Sequence, residues 1–372
     1  MTTHLAAVSP AKGQPFELQT RTTPKPGSGE LLVAVKSVAL NPADVLMRDQ
    51  GLFIPTYPTV IGFDMAGLVL EVGDNVPPSF QPGITRAAAY AASFWKSFGP
   101  DYGAFQERCL VPWQHAVPLP DHISWNYAAT LPVAAQVPLS AWDAMGIPRV
   151  GEAPTDSDTS RAKQKKNVEK REALLVWGAS SSVGTMGVQT ARLLRDEPNS
   201  SFGAVYATAG LANMSYVNSL GADRVFDHRD SHVVDTIVSA AKEDGLVIRH
   251  CFLATGKLEL CQAVLKDFIG EDQEGKETKT AKIVSAPVVP PDADVVDGVE
   301  TIFLMPSMVE EERLEQFRYW IGTCLRENLA KGAVRPSPEP SIMGNDLGAI
   351  NAGLDKLLKG VSCTKLIVEV AE

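Results

Sequence analysis

Between Gly178 and Gly184 the chain reads Gly-Ala-Ser-Ser-Ser-Val-Gly, a run of small and hydroxyl-bearing residues that lets backbone N–H groups close on a phosphate. The apolar run Ala173-Leu-Leu-Val-Trp177 leads into it and has the character of a buried strand. After it, Val183, Met186, Gly187, Thr190, Ala191 and Leu194 recur at helical spacing on one face, with Ser181 or Ser182 as the opening cap. Strand, tight turn and helix in that order put unpaired N–H groups and a partial positive charge at the turn, where a dinucleotide pyrophosphate would be held. The glycine fingerprint of such turns is degenerate here: Ala179, Ser181 and Gly184 take its three small positions, with Gly187 one turn later. Ser180 and Ser182 add hydroxyls that can donate to phosphate oxygens. A serine- and glycine-rich cap on an ordinary α/β helix has the same composition, so the turn alone leaves both readings open.

The choice of dinucleotide is decided at the end of the next strand, where NAD enzymes place an Asp or Glu on the adenosine 2'-hydroxyl. The strand Gly203-Ala-Val-Tyr-Ala-Thr208 runs into Ala-Gly-Leu-Ala-Asn-Met-Ser215 without a carboxylate. A carboxylate would repel a 2'-phosphate, so its absence favours NADPH. No Lys or Arg occurs between residues 209 and 223 to pair with that phosphate. Thr208, Asn213, Ser215 and Tyr216 are the polar candidates, and the last three also read as solvent-facing helix polarity.

These groups need a scaffold. A helix over Asn213 to Leu220 and a strand at Arg224-Val-Phe226 complete a βαβαβ run, which argues for a parallel, doubly wound sheet. Leu246 to Ala254 and Lys282 to Ala286 read as further strands, separated by a helix and the charged loop Glu271 to Thr280. A helix from Glu310 to about Leu329 and a last strand, Cys363 to Val370, follow. Upstream, from Leu5 to about Pro132, short β-like runs such as Leu31 to Leu40 and Ala66 to Val72 are punctuated by Pro and Gly, which reads as an irregular β-barrel. Between Gly151 and Glu172 lies a hydrophilic stretch with Lys163, Lys165, Lys166, Lys170 and Arg171, read as a solvated insertion rather than a polyanion site. No internal repeat is visible.

At 372 residues the chain is long enough for two domains. With 34 basic and 44 acidic residues its formal charge is -10, which argues against nucleic acid or anionic lipid as a partner. Five cysteines without a C-x-x-C pair suit a reducing compartment. The first residues lack a signal-peptide pattern, and no apolar run approaches 20 residues, so a cytoplasmic protein that does not span a membrane is expected.

Several segments, taken together and in order, resemble the medium-chain dehydrogenase/reductase superfamily. They are Pro24-Lys-Pro-Gly-Ser-Gly-Glu30, Ala39-Leu-Asn-Pro-Ala-Asp44, Tyr57-Pro-Thr-Val-Ile-Gly-Phe-Asp-Met-Ala-Gly67, Gly103-Ala-Phe-Gln-Glu107, Ala128-Ala-Thr-Leu-Pro132, the Gly178 to Gly184 turn, Ser219 to Asp227 and Lys365-Leu-Ile-Val368. The resemblance implies an α/β protein: a GroES-like β-barrel domain over 1–132, completed by 311–372, and a Rossmann doubly wound parallel-sheet domain over 133–310. Within the superfamily the chain looks like the zinc-independent quinone oxidoreductase and fungal trans-enoyl reductase branch. Zinc-dependent relatives supply Cys and a Gly-His-Glu motif to the catalytic metal; here Asn41-Pro42 stands in the cysteine region and Gly62-Phe-Asp64 replaces Gly-His-Glu. Only Cys109 falls in the first 250 residues, against four closely spaced cysteines in their structural zinc lobe. No metal is expected, although a set from His115, His122 and Asp64 stays open.

The same resemblance implies hydride delivery from NADPH to an activated C=C of an enone, enoyl compound or quinone, in fungal specialised metabolism. A polyketide synthase carrier domain is an implied partner, and the chain would act as a monomer or homodimer. Carbonyl or alcohol oxidoreduction on the same fold, and a non-redox role in NADPH binding or in steering a cyclisation, remain as alternatives. Asn41, in Asn-Pro-x-Asp at the implied cleft, would orient substrate or nicotinamide; Asp44 reads as structural, accepting backbone N–H bonds. Tyr57 would donate to the substrate oxygen or protonate the enolate, and otherwise packs against Pro58. Ser140 matches a hydroxyl position near the nicotinamide. Leu46 stands where fungal polyketide enoyl reductases often carry Lys. Phe252, Ala254 and Thr255 would face the nicotinamide from a strand end, and Phe303, Leu304 and Met305 would form an apolar wall or plain core.

Overall fold

The structure, a computed structural model, describes residues 2–151, 171–270 and 280–370. The lysines of the basic stretch, Lys163, Lys165, Lys166 and Lys170, and the charged loop over 271–279 lie outside the described residues. The chain divides into two compact units, Met1–Gln136 with Pro306–Glu372, and Val137–Met305.

The first unit begins with a hairpin of β1 (Thr3–Val8) and β2 (Glu17–Thr22). Then come β3 (Glu30–Ala39), β4 (Asp64–Val72), β5 (Arg86–Tyr90), β6 (Arg108–Pro112) and β7 (Ala116–Pro118). β3 is apolar on both faces and buried for most of its length, which suits a central strand. It pairs antiparallel with β4, placing Val38 opposite Met65 and Ala39 opposite Asp64, and register shifts at Leu32/Val33 and Val35/Ser37 bend it. β3 and β4 approach so closely that a Cβ on Gly67 would lie 2.1 Å from the Ala34 carbonyl oxygen. The helix Pro42–Gln50 leaves the end of β3.

The second unit is a single parallel sheet. Its strands are β8 (Glu172–Trp177), β9 (Phe202–Ala209), β10 (Arg224–Asp227), β11 (Val247–Leu253), β12 (Ala281–Ser285) and β13 (Val299–Phe303). They lie in the order β10-β9-β8-β11-β12-β13, every neighbouring pair parallel, so strand order reverses beside β8 as in a doubly wound Rossmann sheet. β8 is buried at every position, as a strand covered on both faces must be. The helix Ser182–Asp196 buries Met186, Gly187, Thr190, Ala191 and Leu194, the face expected from their spacing. Gly187 lets it approach: a Cβ there would stand 3.0 Å from the Phe252 ring on β11.

After 305 the chain returns to the first unit with β14 (Pro340–Gly344) and β15 (Lys365–Glu369). β15 pairs antiparallel with β3, completing the order β14-β15-β3-β4-β5-β7, with β6 on the other stretch of β3. The helix expected from Glu310 to about Leu329 is present but not uniform: Glu310–Phe317 and Arg326–Ala330 are α-helical, and Arg318–Leu325 between them is a π-helix. β13 is a strand that no alternation in the sequence marks off from its surroundings.

Candidate active site

The turn after β8 is drawn tight by its own polar groups. Gly178 N–H donates to Thr208 Oγ1 at 2.9 Å and Ala179 N–H to the Thr208 carbonyl at 2.8 Å, so the end of β9 holds the start of the turn. Ser181 caps the helix: its Oγ accepts from Gly184 N–H at 3.1 Å and donates to the Gly178 carbonyl at 2.8 Å. The closure needs bare backbone. Gly178 has φ +77°, and a Cβ on it would lie 2.5 Å from both Cγ2 and the carbonyl oxygen of Thr255; one on Gly184 would lie 2.3 Å from the Gly178 carbonyl oxygen.

What is left at the mouth of the turn fits a pyrophosphate. The N–H groups of Ser182 and Val183 open the helix and have no acceptor within it. Ser182 Oγ is buried and has no hydrogen-bond partner among the described residues, an arrangement that costs free energy unless a ligand oxygen supplies the partner. Ala179 is fully buried and Ser180 half-buried.

Other residues expected around the cofactor divide. Thr208 is fully buried with its hydroxyl on Gly178, so it shapes the turn from behind. Asn213 ends the short turn Leu211–Asn213, Tyr216 follows on the helix Met214–Ser219, and both have partners; Ser215 is exposed. Ala254 and Thr255 follow β11; Ala254 N–H donates to the Trp177 carbonyl at 3.0 Å and Thr255 crowds Gly178, whereas Phe252 is wholly buried against Trp142 and Gly187, a core position. Phe303 ends β13 opposite Ser285 and is half-buried, Leu304 is likewise half-buried, and Met305 is exposed. Ser140 is buried, and its hydroxyl donates to the Val137 carbonyl at 3.0 Å.

In the first unit the expected residues meet a partner that the sequence did not suggest. Lys365, on β15, is 3% exposed and donates from Nζ to Asn41 Oδ1 at 2.6 Å and to Asp64 Oδ2 at 2.9 Å. Asn41 Nδ2 donates to the same Asp64 oxygen at 3.0 Å, and Asp64 Oδ1 accepts from Val133 N–H at 2.7 Å. Both ends of the Asn41 amide are therefore committed, and its visible role is to fix the start of the helix Pro42–Gln50. Asp44 completes that start: its Oδ2 accepts from Asn41 N–H at 2.8 Å, which is the structural use expected of it. Asp44 Oδ1 has no partner among the described residues. Burial pushes the Asp44 carboxyl up to about 7, against the opposing pull of the Asn41 N–H and the Lys365 ammonium.

Tyr57 is one of the uncommitted donors of this unit. Its hydroxyl is buried without a hydrogen-bond partner among the described residues, lying where a Cβ on Gly51 would touch it at 2.9 Å, and burial raises its pKa. Leu46, half-buried, stands on the helix Pro42–Gln50. His115 is fully buried, stacks on Phe317 at 3.8 Å and lies with Nδ1 3.1 Å from the Tyr90 carbonyl oxygen, which can only accept, so Nδ1 carries the proton and donates. Burial pushes it down to about 3. His122 is exposed, and no group of three or more His, Cys, Asp or Glu among the described residues is placed to hold a metal.

Comparison with known proteins agrees with this geometry. Residues 27–121 match the alcohol dehydrogenase GroES-like domain. Over 98% of its length and 98% of the relative's, the chain is 36% identical to trans-enoyl reductase tndF of Aspergillus flavipes. It is 39% identical to trans-enoyl reductase tazE of Aspergillus terreus over 83% of this chain and 94% of that one. An alcohol dehydrogenase superfamily protein from Novosphingobium aromaticivorans shares the fold at a TM-score of 0.72 and 20% identity, covering 99% of this chain and all of that one. A parallel sheet with its strand–turn–helix and a GroES-like unit define a medium-chain dehydrogenase/reductase, an oxidoreductase fold built around a nicotinamide cofactor. The chain belongs to the fungal trans-enoyl reductase branch of that superfamily.

Proposed function

We propose that the chain is an NADPH-dependent reductase of activated C=C bonds, in enones, enoyl thioesters or quinones, serving fungal specialised metabolism. The observation that carries it is the turn at Gly178 to Gly184, whose free helix N–H groups and unpartnered Ser182 hydroxyl suit a dinucleotide pyrophosphate. The carboxylate-free end of β9 supports the phosphorylated dinucleotide. The names of the relatives support the enoyl substrate.

When bound, the nicotinamide supplies a hydride to the β-carbon of the acceptor. The chain's part is to receive the charge that develops on the carbonyl oxygen and to return a proton at the α-carbon. Tyr57 is the candidate donor, because its O–H has no partner among the described residues to give up. Asn41 is a positioning residue, held with Asp64 by Lys365. Ser140 holds the helix turn at Val137. We include a carrier domain among the partners to test, with carrier-mimicking pantetheine thioesters as the probe.

The test is oxidation of NADPH and NADH by the purified full chain against a panel of enones, quinones and enoyl thioesters. Turnover of at least one C=C acceptor, faster with NADPH, is expected. Tight cofactor binding with no turnover on any acceptor would overturn the reading.

A further inference from the structure

We infer that Arg229, beyond the end of the third strand of the parallel sheet, is the cation that recognises the 2'-phosphate of the dinucleotide and sets the choice of NADPH. The inference rests on the dinucleotide reading above and adds the residue that decides between its two forms. The segment after β9 holds no Lys or Arg up to residue 223, so sequence alone leaves a 2'-phosphate without a partner. The fold supplies one from the neighbouring strand.

β10 lies beside β9 in parallel register, with Asp227 opposite Ala209, and His228 N–H donates to the Ala209 carbonyl at 3.3 Å. The residues leaving β10 are thereby brought beside Gly210, the first residue after β9. A Cβ built on Gly210 would lie 3.6 Å from His228 Cε1, 3.8 Å from Arg229 Cζ and 3.9 Å from one terminal guanidinium nitrogen. The guanidinium thus stands over the place where an NAD enzyme carries its ribose-binding carboxylate. It is exposed and makes no hydrogen bond or ion pair among the described residues. The two carboxylates beside it are used in closing the turn: Asp227 Oδ1 accepts from Arg229 N–H at 3.0 Å, and Asp230 Oδ1 accepts from His232 N–H at 2.9 Å. A planar, permanently charged group with free donors beside an open glycine is matched to a phosphate dianion, which it can meet with two parallel bonds.

Gly210 makes the inference reversible. Its φ is -73°, and the contacts its Cβ would make are ordinary ones, so a side chain can start there without backbone strain. That carboxylate would pair with Arg229 and present an acceptor to a 2'-hydroxyl.

The experiment is calorimetric titration of the full chain with 2',5'-ADP and with 5'-AMP, for the wild type, R229Q and G210D. The wild type should prefer 2',5'-ADP, and the preference should shrink with added salt. R229Q should lose roughly tenfold to a hundredfold of affinity for 2',5'-ADP and keep its affinity for 5'-AMP, which also reports an intact fold. G210D should reverse the preference. A wild type that binds both fragments equally sinks the NADPH reading and this inference with it. A wild type that discriminates while R229Q retains the full preference overturns the assignment of Arg229 and leaves the NADPH reading standing.

Discussion

Lys365 and Asp64 form an ion pair that water scarcely reaches, with side-chain exposures of 4% and 0%. Removing one member of such a pair strands the other, and the penalty exceeds the net worth of the pair. Lys365→Met is therefore expected to lower unfolding free energy by about 3–5 kcal/mol in denaturant titrations, and Asp64→Asn added to it should restore a measurable part. A double variant as unstable as the single would show that the ammonium acts by packing alone. Asp44 and His115 carry opposite pH signatures. The Asp44 carboxyl titrates near 7 in the fold against an ordinary 3.8, so the folded state binds more protons between those values and stability falls as pH rises through that window. His115, pushed down to about 3, is neutral in the fold where the unfolded chain protonates, so its contribution is lost as pH falls from 6.5 towards 3. Over the shared window the two slopes oppose each other. Asp44→Asn should uncover the histidine slope, approaching one proton or about 1.4 kcal/mol per pH unit, in unfolding free energies measured from pH 4 to 6.5. An unchanged profile would mean that Asp44 is ionised throughout. The structural use of Asp44 was legible because the Asn-Pro-x-Asp segment is local; Lys365 was not, because it reads as an ordinary strand lysine and meets Asn41 only through the pairing of β15 with β3.

The strand–turn–helix around Gly178 to Gly184 was readable in full because each determinant lies within a few residues of the next: an apolar run, a serine cap and a periodic face. Ser182 gives this element its own test. A buried hydroxyl without a partner weakens the fold, and Ser182→Ala removes it. The variant should be as stable as the wild type or up to about 1 kcal/mol more stable without ligand, while binding NADPH several-fold more weakly. Lower stability in the absence of ligand would show that the hydroxyl is satisfied inside the protein. Elements whose limits depend on distant packing were harder to read. β13 is a five-residue strand after a Pro- and Asp-rich stretch, and only its pairing with β12 makes it a strand. The π-helical Arg318–Leu325 follows directly on Phe317, which stacks on His115, and it buries Trp320, Ile321 and Cys324; no composition signal announces it.

At the scale of the whole chain, the two units differ in how their sheets are assembled. The second comes from one uninterrupted segment, Val137–Met305, and its βαβ alternation made the parallel sheet readable before the strand order was known. The first needs both ends of the chain: β15 pairs with β3, Lys365 reaches Asn41 and Asp64, and Asn351 bonds both backbone groups of Phe16. Truncation after Ser337 would remove β14, β15 and the helix Ile350–Leu358, leaving a central strand with an open edge and a buried aspartate without its cation. Stranding Asp64 alone costs about 3–5 kcal/mol, a large part of the roughly 5–15 kcal/mol that holds a domain together, and two strands and a helix are lost with it. Such a chain is expected to lose hydrogen-exchange protection through β3, β4 and β5 while keeping it in β8, β9 and β11, and to retain binding of 2',5'-ADP within about threefold. Uniform loss of protection in both sheets would show that they fold as one cooperative body. Retention of protection in β3 would show that the C-terminal strand trims an already stable barrel.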